Sequence, residues 1–233
     1  MEDFQRAILP KTHPASCRGY EILIIGQTYE KAKDHIRTLR DWLFTSEKYR
    51  DFLIIRPDDD EKKDESTKTI LYIRNPDDPN RPTRIIGLGM KSEASIWSWK
   101  QVKFIHMSDV ASSDMIDDSG VFAAAFSRVA NTHGSVHIET PPHGQRGRVW
   151  EIYQQSELGS TQKTTESQFK INKIYATQAV AEGLMTQEDL DGYREMYGIA
   201  YSQYFEADFL NSSNQYYTSN LINATDDETV MGV

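Results

Sequence analysis

The sequence predicts an α/β protein with a largely parallel sheet. Three observations predict it. Short apolar runs typical of buried strands recur along the chain, at 21–26, 102–107 and 135–139. Segments with helical spacing of apolar residues follow these runs. Each run also ends in polar residues, as a strand does where the chain leaves a sheet. Strands joined by crossover helices form parallel sheets with helices on their faces.

The first strand and helix are predicted most clearly. Residues 21–26 read Glu-Ile-Leu-Ile-Ile-Gly, which suits a buried parallel strand. Thr28 follows as a predicted N-cap, because its hydroxyl can accept from the first free backbone N–H groups of a helix. The helix is predicted over 29–44 from apolar residues at helical spacing: Ala32, Ile36, Leu39 and Leu43.

Two further strands are predicted to pair with each other. They lie at 69–73 and 84–88, and the segment between them, Asn-Pro-Asp-Asp-Pro-Asn at 75–80, has strong turn composition. The acidic segment 57–66 before them is predicted to be a loop. Farther along, helices are predicted at 115–130, 146–157, 177–183 and 186–197, with a strand at 169–174 and a helical extension over 201–210.

The predicted organisation has four parts. Residues 1–20 contain prolines and show no clear period, so they are predicted to be irregular. Residues 21–158 form the α/β core and residues 159–210 a C-terminal part that begins with a Gly/Ser/Thr-rich stretch. Residues 211–233 are predicted to be a polar tail.

Composition excludes some classes of protein. The net charge of −9 argues against a domain that covers itself with nucleic acid, although a local basic channel remains compatible with it. Cys17 is the only cysteine, which excludes an internal disulfide and a cysteine-based zinc cluster. No apolar run approaches the roughly 20 residues that span a bilayer, and no secretory signal precedes the first strand, so an intracellular protein is expected.

The polar residues after the predicted strands mark the candidate site, because ligands of parallel sheets bind beyond the carboxyl ends of the strands. These residues are Gln27-Thr28, Ser108-Asp109 and Glu139-Thr140. A carboxylate directly after a buried strand is how many nucleotide hydrolases hold magnesium and orient water. The alternative for Asp109 is that it caps the following helix. Thr140 is suited to contact a γ-phosphate or its attacking water, and its alternative is a rigid strand–helix connection without a ligand.

In order and spacing, these segments resemble the ATPase domain of the viral large terminase, the DNA-packaging subunit of tailed viruses. The resemblance covers about residues 21–210. Residues 22–44 resemble the unit that follows the family's phosphate-binding loop, and 104–111 lie where the family has its Walker B motif. Residues 136–153 resemble its coupling segment, and 179–210 its later stretch.

The resemblance implies a RecA-like P-loop ATPase fold, with ATP and magnesium as the implied cofactors. It implies an oligomeric motor that acts on double-stranded DNA in the host cytoplasm, with the portal and the small terminase subunit as partners. Asp109 would be the catalytic carboxylate with Ser108 at the magnesium-binding position, or Asp109 would itself bind the magnesium. Thr140 would belong to the catalytic site. Phosphate contacts, to nucleotide or DNA, are predicted for Gln27, Arg128, Arg146 and Arg148, with ordinary surface arginines as the alternative.

The chain departs from the family at the Walker A motif, G-x-x-x-x-G-K-[ST], whose backbone N–H groups and lysine hold phosphates. The sequence contains no Gly-Lys-Ser/Thr triplet. Lys11-Thr12 lies among prolines, which remove backbone donors. The run Gly-Leu-Gly-Met-Lys-Ser at 87–92 has the wrong spacing. The expectation is therefore a partial motor, incomplete at the N-terminus and inactive alone, with a separate chain as the candidate source of Walker A.

Other interpretations stay open. One is a non-catalytic assembly subunit or a degenerate paralogue on the same scaffold, and another is a different P-loop helicase-like ATPase. The family's nuclease module is expected to be absent, because the adjacent acids Asp226, Asp227 and Glu228 have poor geometry for a two-metal site. No histidine metal site is predicted, since no Glu or Cys pattern completes one around the candidates: His106, His133, His137 and His143.

Overall fold

The computed structural model describes residues 2–54, 69–91, 93–112, 118–156 and 169–210. It divides the chain into two compact units, Met1–Thr140 and Pro141–Val233. This division falls earlier than the boundary at 158 expected from the sequence. Several predicted features lie outside the described residues: the loop at 57–66, the first residues of the helix predicted from 115, and the tail at 211–233.

The first unit contains the sheet and four of the described helices. Two short 3₁₀ turns, Arg50–Phe52 and Val110–Ser112, follow α2 and β4. The longer elements, in chain order, are α1 (Glu2–Ile8), β1 (Glu21–Gly26), α2 (Tyr29–Thr45), β2 (Ile70–Ile73), β3 (Thr83–Gly89), α3 (Glu93–Ser98), β4 (Val102–Ser108), α4 (Ser119–Ala130) and β5 (Ser135–Glu139).

The strands form one sheet in the order β2-β3-β1-β4-β5. Strands β3, β1, β4 and β5 run parallel, and β2 pairs antiparallel with β3, as the turn at 75–80 predicted. Central strand β1 is buried at every position, which explains its continuous apolar sequence. The predicted mostly parallel α/β fold is confirmed.

Helix α2 packs against the sheet through the four residues that the helical spacing selected. The predicted N-cap is also confirmed, because the Thr28 hydroxyl accepts from the backbone N–H of Lys31 at 3.2 Å. Close approach of α2 to the sheet depends on glycine. A Cβ on Gly26 would lie 2.8 Å from the Ala32 nitrogen, and one on Gly89 would lie 2.6 Å from the Tyr29 nitrogen.

The segment predicted to be irregular contains a helix, so that prediction is wrong for residues 2–8. Helix α1 is too short to show a period in the sequence and is stabilised by tertiary packing. Its Phe4 is 1% exposed and meets three rings edge-on, those of Trp42, Tyr49 and Phe52, with centroids 5.7, 5.2 and 6.2 Å away.

Strand β5 forms one edge of the described sheet. Among the described residues it pairs only with β4, and its residues alternate between exposed and half-buried. Side chains of α1 lie along it: Arg6 Nη1 is 3.4 Å from Ser135 Oγ, and Glu2 Oε2 is 2.7 Å from His137 Nδ1. Helix α1 therefore runs antiparallel to β5, with its first turn toward the carboxyl end of that strand, and leaves the backbone edge of β5 unpaired by any described strand.

The second unit is helical in its described part. Its elements are α5 (Gly147–Gln155), α6 (Ala176–Ala181), α7 (Gln187–Tyr197), a 3₁₀ turn (Gly198–Ala200) and α8 (Tyr201–Phe205). Helix α7 begins with a capping box, in which Thr186 and Asp189 exchange hydrogen bonds. None of the described helices is both long and apolar enough to cross a membrane.

The strand predicted at 169–174 does not form, and the helical extension over 201–210 ends at Phe205. The segment 169–174 has no described strand beside it, and an extended chain without a partner has no ladder to join. It is held by side chains instead. Lys173 Nζ donates to Asp208 Oδ1 at 3.1 Å and lies 5.3 Å from the centre of the Tyr153 ring.

Candidate functional site

The carboxyl ends of the parallel strands lie level with one another. In the pairing register, Gly26 of β1 is the partner of Gly89 on one side and of Ser108 on the other, and Ser108 is the partner of Glu139 in β5. The last residues of the four parallel strands therefore form one row, and the polar residues that follow these strands start from it. This row, with Gln27, Asp109 and Thr140 directly after it, is called the carboxyl edge below.

The two polar ends at 108–109 and 139–140 lie side by side, as the sequence predicted. The backbone N–H of Asp109 donates to the carbonyl of Glu139 at 2.8 Å. Two residues farther on, the N–H of Ala111 donates to the hydroxyl of Thr140 at 3.1 Å. The chain segments leaving β4 and β5 are thus cross-linked by hydrogen bonds just beyond the sheet.

Asp109 has a left-handed backbone conformation, with φ of 57°. This region costs most L-residues free energy, but Asp and Asn tolerate it better than other non-glycine residues. Asp109 is followed by the 3₁₀ turn Val110–Ser112, whereas the N-cap of α4 is Asp118. Asp109 therefore does not cap α4.

The carboxyl edge offers oxygen ligands but no phosphate cradle among the described residues. Gly87 and Gly89 lie within β3, which pairs with β1 and β2, so this run is part of the sheet. Lys11 and Thr12 are exposed in a turn after the end of α1. The last turn of α1 lies toward the amino end of β5, since Arg6 approaches Ser135. Lys11-Thr12 therefore lies away from the carboxyl edge, and the two glycines of the 87–92 run are strand residues rather than a phosphate-binding loop.

Of the predicted phosphate-contacting arginines, Arg128 lies away from the carboxyl edge. Arg128 lies in the last turn of α4, where its Nη1 donates to the Trp99 carbonyl at 3.3 Å and its guanidinium covers the Trp97 ring. Trp99 precedes β4, so Arg128 lies near the amino ends of the parallel strands. Arg146 and Arg148 belong to the second unit, where Arg148 pairs with Glu151 at 2.6 Å. Gln27 follows β1 and is half-buried.

Beneath the carboxyl edge lies a buried group that sequence reasoning missed. Asp3 of α1, His35 of α2 and His106 of β4 converge on one face of the sheet. Asp3 Oδ2 is 3.2 Å from His106 Nδ1 and 3.4 Å from His35 Nε2. The sequence carries no signal for this convergence, because α1 was not predicted and Asp3 and His106 are 103 positions apart.

The titration of this group is set by burial and by the opposite charges within it. Burial alone would raise the pKa of Asp3, but hydrogen bonds and charge from His106 and His35 outweigh burial and hold that pKa well below its usual range. Burial alone would lower the pKa of His106. The hydrogen bond and charge of Asp3, with a contribution from Glu139, raise the pKa of His106 instead.

No protein-family model matches this sequence, and no curated protein matches it. Solved structures do match its fold. The ATPase domain of the large terminase from Thermus phage P74-26 aligns with a TM-score of 0.55 and 14% identity, over 82% of this chain and 77% of that domain.

The large terminase of a thermophilic bacteriophage, in complex with ADP, aligns with a TM-score of 0.54 and 14% identity over 82% of this chain. A second structure of that bacteriophage terminase gives a TM-score of 0.52 and 12% identity. This chain spans 41% of the terminase in the ADP complex. At such identity the likeness establishes architecture alone, and this protein has the fold of the phage large-terminase ATPase domain.

Proposed function

We propose that this chain is the Walker B and coupling part of an ATP-driven motor that packages viral double-stranded DNA. The observation that carries the proposal is the cross-linked pair of strand ends, 108–109 and 139–140, at the carboxyl edge of a terminase-like sheet. In open parallel sheets this edge is where ligands bind. The motor would act during virion assembly in the host cytoplasm, with the portal and small terminase subunit as partners.

The set of side chains at the carboxyl edge suits magnesium. Asp109 offers a carboxylate, and Ser108 and Thr140 offer hydroxyls. Magnesium prefers oxygen ligands and keeps several waters, with one or two carboxylates and substrate phosphates completing its shell. It would neutralise charge on the phosphates. The left-handed backbone at Asp109 and the backbone hydrogen bond to Glu139 hold this carboxylate on a fixed stretch of chain.

The phosphate grip must come from residues beyond those described. The unpaired edge of β5 supports this view, because an additional parallel strand can hydrogen-bond there beside 135–139. The first turn of α1 lies toward the carboxyl end of β5. We propose that a glycine-rich segment ending in Gly-Lys-Ser/Thr, in a separate chain or elsewhere in the same polypeptide, pairs with β5 and completes the nucleotide site.

Two sequence features favour a second function, a non-catalytic assembly subunit on the same scaffold. The chain has no Gly-Lys-Ser/Thr triplet, and serine stands directly before Asp109, at the position that the resemblance assigns to magnesium binding. Serine is a weaker magnesium ligand than a carboxylate. A subunit of this kind would keep the sheet and its partners but would not hydrolyse ATP.

The test uses the chain with and without the product of the reading frame immediately upstream. Alone, the chain is expected to bind no Mg-ATP above background by calorimetry. With an upstream product that carries the glycine-rich loop, we expect a stable complex that hydrolyses ATP and is stimulated by double-stranded DNA. Asp109→Asn should reduce the hydrolysis at least about 100-fold, a loss of the size that follows removal of one group that stabilises the transition state.

Asp34→Asn is the matched control, because Asp34 is an exposed acid on α2 that forms an ion pair with Arg37. It should leave hydrolysis unchanged. Tight binding of ATP by the chain alone would overturn the proposal that a further glycine-rich segment completes the nucleotide site. A complex that forms but hydrolyses no ATP would establish the assembly subunit instead.

A further inference from the structure

The group formed by Asp3, His35 and His106, called the HDH cluster below, ties three elements together. Its residues come from α1, α2 and β4, and their nearest ligand atoms all lie within 4.8 Å of one another. Asp3 is 0% and His106 6% exposed, whereas the His35 side chain retains 29% exposure. Two imidazoles and one carboxylate thus meet in a nearly dry site with a single accessible side.

The distances in the HDH cluster are long for ionic hydrogen bonds. Asp3 Oδ2 lies 3.2 Å from His106 Nδ1 and 3.4 Å from His35 Nε2, whereas charge-assisted N–H···O bonds are about 2.7–2.9 Å. Two ligands of a tetrahedral zinc ion, with bonds of about 2.0–2.1 Å, lie about 3.3–3.4 Å from each other. These two separations from Asp3 match the spacing of ligands around a shared ion, and the two imidazole nitrogens lie within 4.8 Å of each other.

The surroundings of the cluster also suit a cation. The second carboxylate oxygen, Asp3 Oδ1, is buried and has no hydrogen-bond partner among the described residues. A buried carboxylate oxygen left in this state is costly, and a bound cation would compensate its charge. On the far side of the His106 ring, Nε2 lies 3.4 Å from Glu139 Oε2.

Glu139 is therefore suited to orient a metal-binding imidazole. Histidines that ligate metals almost always direct their other ring nitrogen at a carboxylate, a carbonyl or a water, which fixes the tautomer. His106 Nε2 is buried and makes no hydrogen bond among the described residues at its 3.4 Å distance from Glu139 Oε2. A shift of the exposed Glu139 side chain toward Nε2–H would leave the lone pair of Nδ1 facing Asp3 and His35. His137 stacks on His106 at 5.5 Å but directs its Nδ1 to Glu2, so it is a neighbour rather than a ligand.

We propose that Asp3 Oδ2, His35 Nε2 and His106 Nδ1 bind a divalent transition-metal ion, for which Zn²⁺ is the best fit. Imidazole nitrogen with one carboxylate is a donor set that zinc accepts, and water occupies the fourth position on the side where His35 is exposed. The ion fastens the amino-terminal helix to the sheet. Oxygen-seeking magnesium does not suit this nitrogen-rich set, so this site is separate from the one proposed at Asp109.

The test measures metal binding by the purified chain after removal of any affinity tag. Calorimetric titration with Zn²⁺ is expected to show one site per chain. Co²⁺ in place of Zn²⁺ should give the strong visible absorption of four-coordinate cobalt. Zinc should also raise the midpoint of thermal unfolding in proportion to the logarithm of its concentration, since a ligand of the folded state stabilises it by mass action.

Variants distinguish ligands from neighbours. His35→Gln is the main variant, because a partly exposed residue on α2 can be replaced without emptying the core, and it should weaken zinc binding more than about 100-fold. Glu139→Gln should weaken it by about 10- to 100-fold, the usual cost of losing a carboxylate that orients a ligand. His133→Gln, at a histidine outside the cluster just after α4, should change nothing.

Two results would overturn the proposal. The first is wild-type protein that binds no more zinc than His35→Gln. The second is a cobalt complex with only the weak absorption of a six-coordinate, water-rich ion. Either outcome would identify the HDH cluster as a metal-free ion cluster in which protonated histidines neutralise Asp3.

Discussion

Replacing Phe4 by alanine tests whether the amino-terminal helix is an integral part of the fold. Phe4 is 1% exposed and is surrounded by the rings of Trp42, Tyr49 and Phe52. It belongs to the same buried cluster as residues of β1 and α2. Phe4, in a segment predicted to be irregular, therefore contributes a large share of the free energy of unfolding.

The magnitude follows from two contributions. Burying a phenylalanine side chain is worth about 1.5–3 kcal/mol. A cavity of roughly 100 Å³, left after partial collapse, adds about 2 kcal/mol at about 24 cal/mol per Å³. The expected loss for Phe4→Ala is therefore about 3–5 kcal/mol, the usual range for this substitution. Phe4→Leu keeps most of the volume and should cost about 1–1.5 kcal/mol.

Urea denaturation followed by circular dichroism measures these differences in the free energy of unfolding. Phe44→Ala is the matched control, because Phe44 lies on α2 and is 49% exposed. It should cost less than about 1 kcal/mol. A Phe4→Ala variant that is no less stable than Phe44→Ala would refute the packing of α1 and, with it, the position of Asp3 in the HDH cluster.

Three further predictions follow from single residues. Asp109→Ala should lower the free energy of unfolding by about 1–2 kcal/mol through its left-handed backbone; Asp109→Gly should cost clearly less in urea denaturation, and equal losses would contradict this. Gly134→Ala would place a Cβ 2.2 Å from the Lys103 carbonyl oxygen of β4. It should lower the free energy of unfolding by at least about 1–3 kcal/mol. An unchanged midpoint of thermal unfolding would mean that β5 does not pair as described. Cys17 is 1% exposed and burial raises its pKa to about 11, so at neutral pH a disulfide reagent should label it far more slowly in native protein than in urea; equal rates would show that Cys17 is accessible.

The strand–helix alternation was predictable because it depends on local periodicity. Buried parallel strands must be apolar throughout, and β1 is buried at every position. A helix on a sheet needs an apolar stripe, which α2 shows. Turn residues at 75–80 identified the β2–β3 hairpin for the same reason. The neighbouring positions of Ser108 and Glu139 then followed from the geometry of a parallel sheet.

Other features were not predictable from local sequence. The run at 169–174 has residues suited to a strand, but strand formation also requires a partner, and none of the described strands lies beside it. Arg128 has a side chain of the type that binds phosphate. The direction of α4 nevertheless places it near the amino ends of the strands, in contact with Trp97 and Trp99. In both cases the tertiary neighbours decided the outcome.

The sequence by itself determined the main strands and helices and the polar row that follows the strands, because each of these is recorded in residues a few positions apart. The absence of a Gly-Lys-Ser/Thr triplet is likewise read directly from the chain. Only the tertiary structure decided that a seven-residue helix docks through Phe4 and brings Asp3 to His35 and His106. Contacts across such sequence separations depend on how helices cross the sheet, and no local pattern of residues encodes that crossing.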